Sequence, residues 1–158
     1  MKYQTDYTGH IYNDGCLLCS IVTICEEVTG LDMGKQHFED FVNRLFTHAK
    51  TTYSPSIPVL SYESDIGLPG SFVWDHEAVF NNTLKELGST HKMKYTGCIH
   101  MPWEEARGKK SFGGRGGDYI ILQIQTSIGG HFRLPNFDPW KPGTKMLDMK
   151  SIRYYTLV

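Results

Sequence analysis

The sequence contains no long apolar stretch. The longest, around Leu17 to Cys25, is interrupted by Ser20 and Thr23 and is too short to cross a bilayer. The segment Met1 to His10 is polar and lacks the apolar core of a secretory signal, so a cytoplasmic protein with no membrane association is expected. There is no excess of charge, 16 basic against 17 acidic residues, and hence no global field to draw the chain to nucleic acid or an anionic surface. Cysteine is scarce, with four in 158 residues. Cys16, Cys19 and Cys25 fall on one candidate helix where mutual pairing is geometrically awkward. In a reducing compartment these residues are expected as free thiols, metal ligands or a nucleophile rather than as disulfides. Repeats, low-complexity tracts and linkers are also missing, so residues 1–158 are expected to form one domain.

What is present belongs to a packed globular protein: 40% hydrophobic and 13% aromatic residues, in a chain long enough to bury a sizeable core. Tyr12-Asn13-Asp14-Gly15 reads as a turn, after which Leu17, Leu18, Ile21, Ile24, Cys25 and Val28 recur at helical spacing until Thr29-Gly30. This predicts a buried helix from about Cys16 to Val28. A second helix is expected over Lys35 to Ala49, and a third from a cap at Asp75 to about Leu87, stopped by Gly88. Lys50 to Gly70 carries three of the chain's prolines nearby and many Ser, Thr and Tyr residues, and reads as a long loop. Lys92 to Ile99 is strand-like, and Pro102 suits the first turn of a short helix containing Glu104 and Glu105. The last third predicts strands over Asp118 to Gln125, Gly130 to Asn136 and Ser151 to Val158. Tyr119-Ile120-Ile121-Leu122 is apolar throughout, which fits a strand buried on both faces. Helices first and strands last predict an α+β architecture, with a helical half packed on an antiparallel sheet.

A cysteine nucleophile needs a favoured thiolate, a nearby imidazole and donors for a developing oxyanion. The start of a helix meets two of these needs, since its dipole favours S⁻ and its first N–H groups are free. Cys16, behind Asn13-Asp14-Gly15, stands at such a start, whereas Cys19 and Cys25 lie deeper and read as core. His131 follows two glycines at a strand start, where the backbone can be closely approached. Asp138, in Asn136-Phe137-Asp138-Pro139-Trp140, can accept from the second ring nitrogen of His131 if the chain turns tightly near Pro135-Asn136. Trp140 is placed to shield such a site. The bland readings stand beside these: Cys16 as a small buried hydrophobe, His131 as a core histidine and Asp138 as a turn former.

These segments resemble a family. Gly15-Cys16 with Ser20 opening an apolar helix is similar to the nucleophile segment of C39-like cysteine peptidases of the papain fold. Gly129-Gly130-His131-Phe132 and Phe137-Asp138-Pro139-Trp140 resemble their histidine and aspartate segments, in the same chain order. The resemblance covers the first helix and the C-terminal third. It implies a papain-like fold and a Cys16-His131-Asp138 triad acting on a peptide or isopeptide-like bond of a protein or peptide substrate, with no cofactor. By association with that family, a phage or plasmid origin is expected. The family's glutamine, a few residues before the cysteine, has no counterpart at that spacing. The upstream polar candidates for an oxyanion donor are Asn13 and His10, with Gln4 more distant. The segment between histidine and aspartate is also shorter than is common.

Other readings compete. Cys16-x-x-Cys19 with Cys98-x-His100 has zinc-compatible spacing, but the first pair sits in an apolar helical run rather than a knuckle. The stretch Arg107 to Gly117 is basic and glycine-rich, without the ending of a P-loop. It reads as a solvated loop, or, with Arg115, as a substrate-selecting flank of a cleft. The runner-up function is a papain-fold binding or inhibitor protein without turnover, acting through the long loop and this basic segment. Nucleic-acid binding rests on the basic segment alone and is disfavoured by the neutral overall charge.

Overall fold

In a computed structural model, the described residues are 1–52, 60–62, 71–73, 76–100, 111–112 and 115–158. After a short 3₁₀ helix at Gln4–Asp6, the helices are α1 (Gly9–Asp14), α2 (Cys16–Thr29), α3 (Lys35–Thr52) and α4 (His76–Glu86). The strands are β1 (Leu60–Tyr62), β2 (Ser71–Val73), β3 (Met93–Ile99), β4 (Ser111–Phe112), β5 (Arg115–Gly116), β6 (Tyr119–Thr126), β7 (Gly129–Arg133) and β8 (Asp148–Leu157). The principal sheet is antiparallel in the order β3-β8-β6-β7, and β1-β2 and β4-β5 form two small antiparallel pairs. The molecule is therefore α+β, with helices preceding the main sheet.

α2 is the central helix. An unbroken run from Leu17 to Glu26 is buried, because α2 packs against α4 on one side and β7 on another. A helix that is apolar nearly all round belongs in a core rather than on a surface. Its end at Thr29 is set by Gly30, whose φ of 69° continues the chain through the left-handed region. The sheet is covered on both faces, as the apolar run in β6 requires. Ile121 and Tyr155 join the helices in one core, while Leu122, Ile124, Ile152 and Tyr154 form a second. Adjacent residues of a strand point to opposite faces, so the complete burial of both Tyr154 and Tyr155 follows directly.

Several boundaries differ from the sequence reading. Tyr12, Asn13 and Asp14 are the last turn of α1 rather than an open turn, and only Gly15 lies outside helix. Within the expected loop, Leu60–Tyr62 is a strand, because it pairs antiparallel with Ser71–Val73. α3 continues to Thr52, β7 stops at Arg133, and β8 starts earlier, at Asp148. The β4-β5 pair occupies part of the basic glycine-rich stretch. The expected cap Asp75, the short helix at Pro102 and, in the basic glycine-rich stretch, residues 107–110 and 113–114 lie outside the described residues.

Candidate active site

The site forms where the start of α2 meets the end of β7 and the loop after it. Cys16 is the first residue of α2 and is half-buried. α1 ends at Asp14 and α2 restarts at Cys16, so the helical ladder is interrupted at this point. First-turn N–H groups of a helix have no carbonyl one turn back. The Tyr12 carbonyl, which a continuous helix would offer to Cys16, instead accepts from Gln4 Nε2 at 2.8 Å. The break depends on Gly15: its N–H bonds the Ile11 carbonyl at 2.9 Å, and a Cβ there would stand 2.2 Å from that same oxygen.

His131 lies on β7 opposite Ile124 of β6 and is buried. Immediately before it, Gly130 is exposed, with open space where a Cβ would be, and Gly129 has a φ of 118°. The chain then reverses at Pro135-Asn136, where Leu134 and Phe137 exchange backbone bonds of 2.9 and 3.4 Å. This turn brings Asp138 back beside His131, whose Nε2 lies 2.6 Å from Asp138 Oδ1. The Cys16 thiol also interacts with this ring and favours its charged form.

The charges in this array reinforce one another. Burial pulls the His131 pKa down, but the hydrogen bonds to Asp138 and Cys16 outweigh it and raise the value to about 9. Burial likewise works against the Asp138 anion. The bonds from His131, Thr144 and the Trp140 N–H prevail and hold its carboxyl well below the usual range. At neutral pH the imidazole is therefore cationic and the carboxylate ionised.

Gln4 is the residue that spacing along the chain concealed. α1 folds back so that Gln4, 2% exposed, reaches the Tyr12 carbonyl. Its own N–H donates to the Pro139 carbonyl at 2.9 Å, which ties it to the Asp138 loop. The segment before it is pinned along α2: Lys2 N–H donates to Thr23 Oγ1 at 2.9 Å, and Lys2 Nζ lies 2.7 Å from both Glu26 and Asp32. Gln4 Nε2 has a second hydrogen beyond the one given to Tyr12. Of the other upstream candidates, Asn13 is exposed on α1, and His10 is on α1 with its side chain outside the described atoms.

Trp140 is half-buried, with its ring centroid 5.2 Å from that of Tyr12, so the two aromatics bridge α1 and the Asp138 loop next to Gln4. Arg115 lies on β5, its side chain outside the described atoms. Cys19 and Cys25 are fully buried in the core, and burial pushes both thiols up. Cys98 is on β3 opposite Arg153, away from the start of α2 in the chain's topology. Among the described residues no three His, Cys, Asp or Glu side chains gather as a metal site, and no described helix is long and apolar enough to cross a membrane. A depression of about 400 Å³, bordered by Thr23, Glu26, Leu31, Asp32 and Phe137, lies at the far end of α2 and contains none of the three triad candidates.

Compared with known proteins, the chain matches no family model, no curated protein and no solved structure.

Proposed function

We propose that the protein is a cysteine peptidase of the C39-like, papain-fold type, cleaving an amide bond in a peptide or protein. The observation that carries this reading is the array itself. One imidazole is held by a largely buried carboxylate at 2.6 Å and interacts with a thiol at a helix start. A core histidine needs neither partner in that order. A nucleophile, a base and an orienting group do.

In this mechanism His131 holds the thiol proton as imidazolium and Cys16 is the thiolate. The sulfur attacks the amide carbonyl, forming the S–C bond and moving the carbonyl electron pair to oxygen. The Cys16 backbone N–H and Gln4 Nε2 donate to that oxyanion. As the C–N bond breaks, His131 gives its proton to the departing amine, leaving a thioester on Cys16. Water then attacks the thioester, His131 takes its proton, and C–S cleavage releases the acid and restores the ion pair. Asp138 keeps the ring oriented and stabilises its cation throughout. Each step moves protons among groups of the chain, substrate and water, so the reaction requires no cofactor.

The test is site-resolved alkylation of the folded protein by iodoacetamide from pH 5 to 9, with His131→Ala for comparison. Labelling of Cys16 that is fast below pH 7 and at least tenfold slower in the variant supports the reading. Equal rates in the two proteins would sink it and favour a binding or inhibitor protein of the same fold.

A further inference from the structure

We infer that Thr144 is a positioning residue of this site: its hydroxyl and backbone N–H pin one oxygen of Asp138 so that the other is aimed at His131. The inference rests on the triad reading and deepens it. Asp138 Oδ1 receives His131 Nε2 at 2.6 Å and the Trp140 N–H at 2.9 Å. Oδ2 receives Thr144 Oγ1 at 2.6 Å and the Thr144 N–H at 2.8 Å. A carboxylate held at one oxygen still rotates about its Cβ–Cγ bond, and donors on the second oxygen fix its plane. Arg133 does not replace them. Its Nη1 stands 3.5 Å from Oδ2, while its Nε is occupied by the Leu134 carbonyl at 3.1 Å.

The loop carrying Asp138 is anchored independently of Thr144. The Pro139 carbonyl accepts from Gln4 N–H at 2.9 Å, Lys141 N–H donates to Thr5 Oγ1 at 3.2 Å, and Lys141 Nζ lies 3.1 Å from Asp6. Removing the Thr144 hydroxyl therefore alters the carboxylate more than the loop. A buried anion that loses one charge-assisted donor binds the imidazolium in a less defined geometry, and the proton on His131 is held less tightly.

The experiment uses the full chain with Thr144→Val, which keeps the branched shape, and Thr144→Ser, which restores the hydroxyl. Thr144→Ala takes the place of the valine variant if that one does not fold. The His131 ring protons are followed by NMR titration in a Cys16→Ser background, with His131→Gln identifying the resonance. Thr144→Val is expected to lower the proton affinity of His131 about tenfold, with Thr144→Ser within about twofold of the parent. In the chain with Cys16 intact, alkylation at pH 6 should fall by a similar factor in the valine variant and recover in the serine one. An unchanged His131 titration in Thr144→Val overturns the inference. Failure of Cys16 to label in a His131-dependent way instead overturns the peptidase reading. The titration in the Cys16→Ser chain then still decides the role of Thr144.

Discussion

Replacing Gly15 by alanine tests whether the interruption between α1 and α2 is what equips Cys16. The new Cβ would lie 2.2 Å from the Ile11 carbonyl oxygen and 2.9 Å from its carbon, both backbone atoms that cannot swing aside. Relief to an ordinary contact requires a displacement of roughly 1 Å, since nonbonded heavy atoms rest at about 3.5 Å or slightly less. That displacement falls on the residue adjoining Cys16. Overpacking of this kind costs about 1–3 kcal/mol, a fall in Tm of roughly 2–4 °C per kcal/mol for a chain of this size. The effect on chemistry should be larger than the effect on stability. A misplacement of about 1 Å is enough to cost on the order of 10²-fold in a reaction that depends on alignment. The assay is the second-order rate of Cys16 alkylation at pH 6, measured well below the Tm of each protein, beside circular dichroism. Gly34→Ala is the control, because a Cβ there meets nothing within 4 Å and Gly34 lies outside the left-handed region. It should change stability by no more than about 0.5 kcal/mol and leave labelling unaltered. A Gly15→Ala protein that labels at the parent rate with an unshifted Tm would refute the argument that this glycine sets the position of the nucleophile.

Two further outcomes are expected. Gln4→Ala should slow acylation of Cys16 by an activated p-nitrophenyl ester about 10²- to 10³-fold, as loss of an oxyanion donor does. Alkylation by iodoacetamide, which forms no oxyanion, should change less than about threefold; equal losses in both reactions would make Gln4 structural only. The His131 pKa, raised to about 9, stabilises the folded state fully below pH 6.5, and that contribution disappears as pH rises through about 9. Its size is on the order of 3 kcal/mol. Asp138, held low, acts in the opposite sense: its contribution is present above the ordinary carboxylate pKa and is lost as pH falls below it. Denaturant titrations at pH 6 and 9 should show a stability loss that shrinks markedly in His131→Gln. An identical loss in both proteins would mean that His131 gains no charged partner on folding.

Much of the molecule was legible in the residues themselves. The helical spacing of Leu17, Ile21 and Ile24 placed α2, and Gly30 its end, because side-chain period and backbone freedom are local properties. The apolar run in β6 announced a sheet buried on both faces for the same reason. Chemical type and local context also singled out Cys16, His131 and Asp138, with a tight turn between the last two. The helix-then-strand order gave the α+β class. The pairing of Leu60–Tyr62 with Ser71–Val73 was not legible, since a three-residue strand exists only through its partner.

Tertiary structure decided what surrounds the triad candidates. Gln4 looked too distant along the chain to serve Cys16, and α1 folds it back to within one hydrogen bond of the turn before that cysteine. Thr144 and Arg133 carried no signal at all, because a threonine or arginine becomes a ligand of a carboxylate only where the chain returns to it. Sequence alone thus determined which groups have the chemistry and which local elements carry them. Their distances, and the balance of burial against hydrogen bonding that sets their charge, depend on contacts between residues remote in the chain, and only packing creates those.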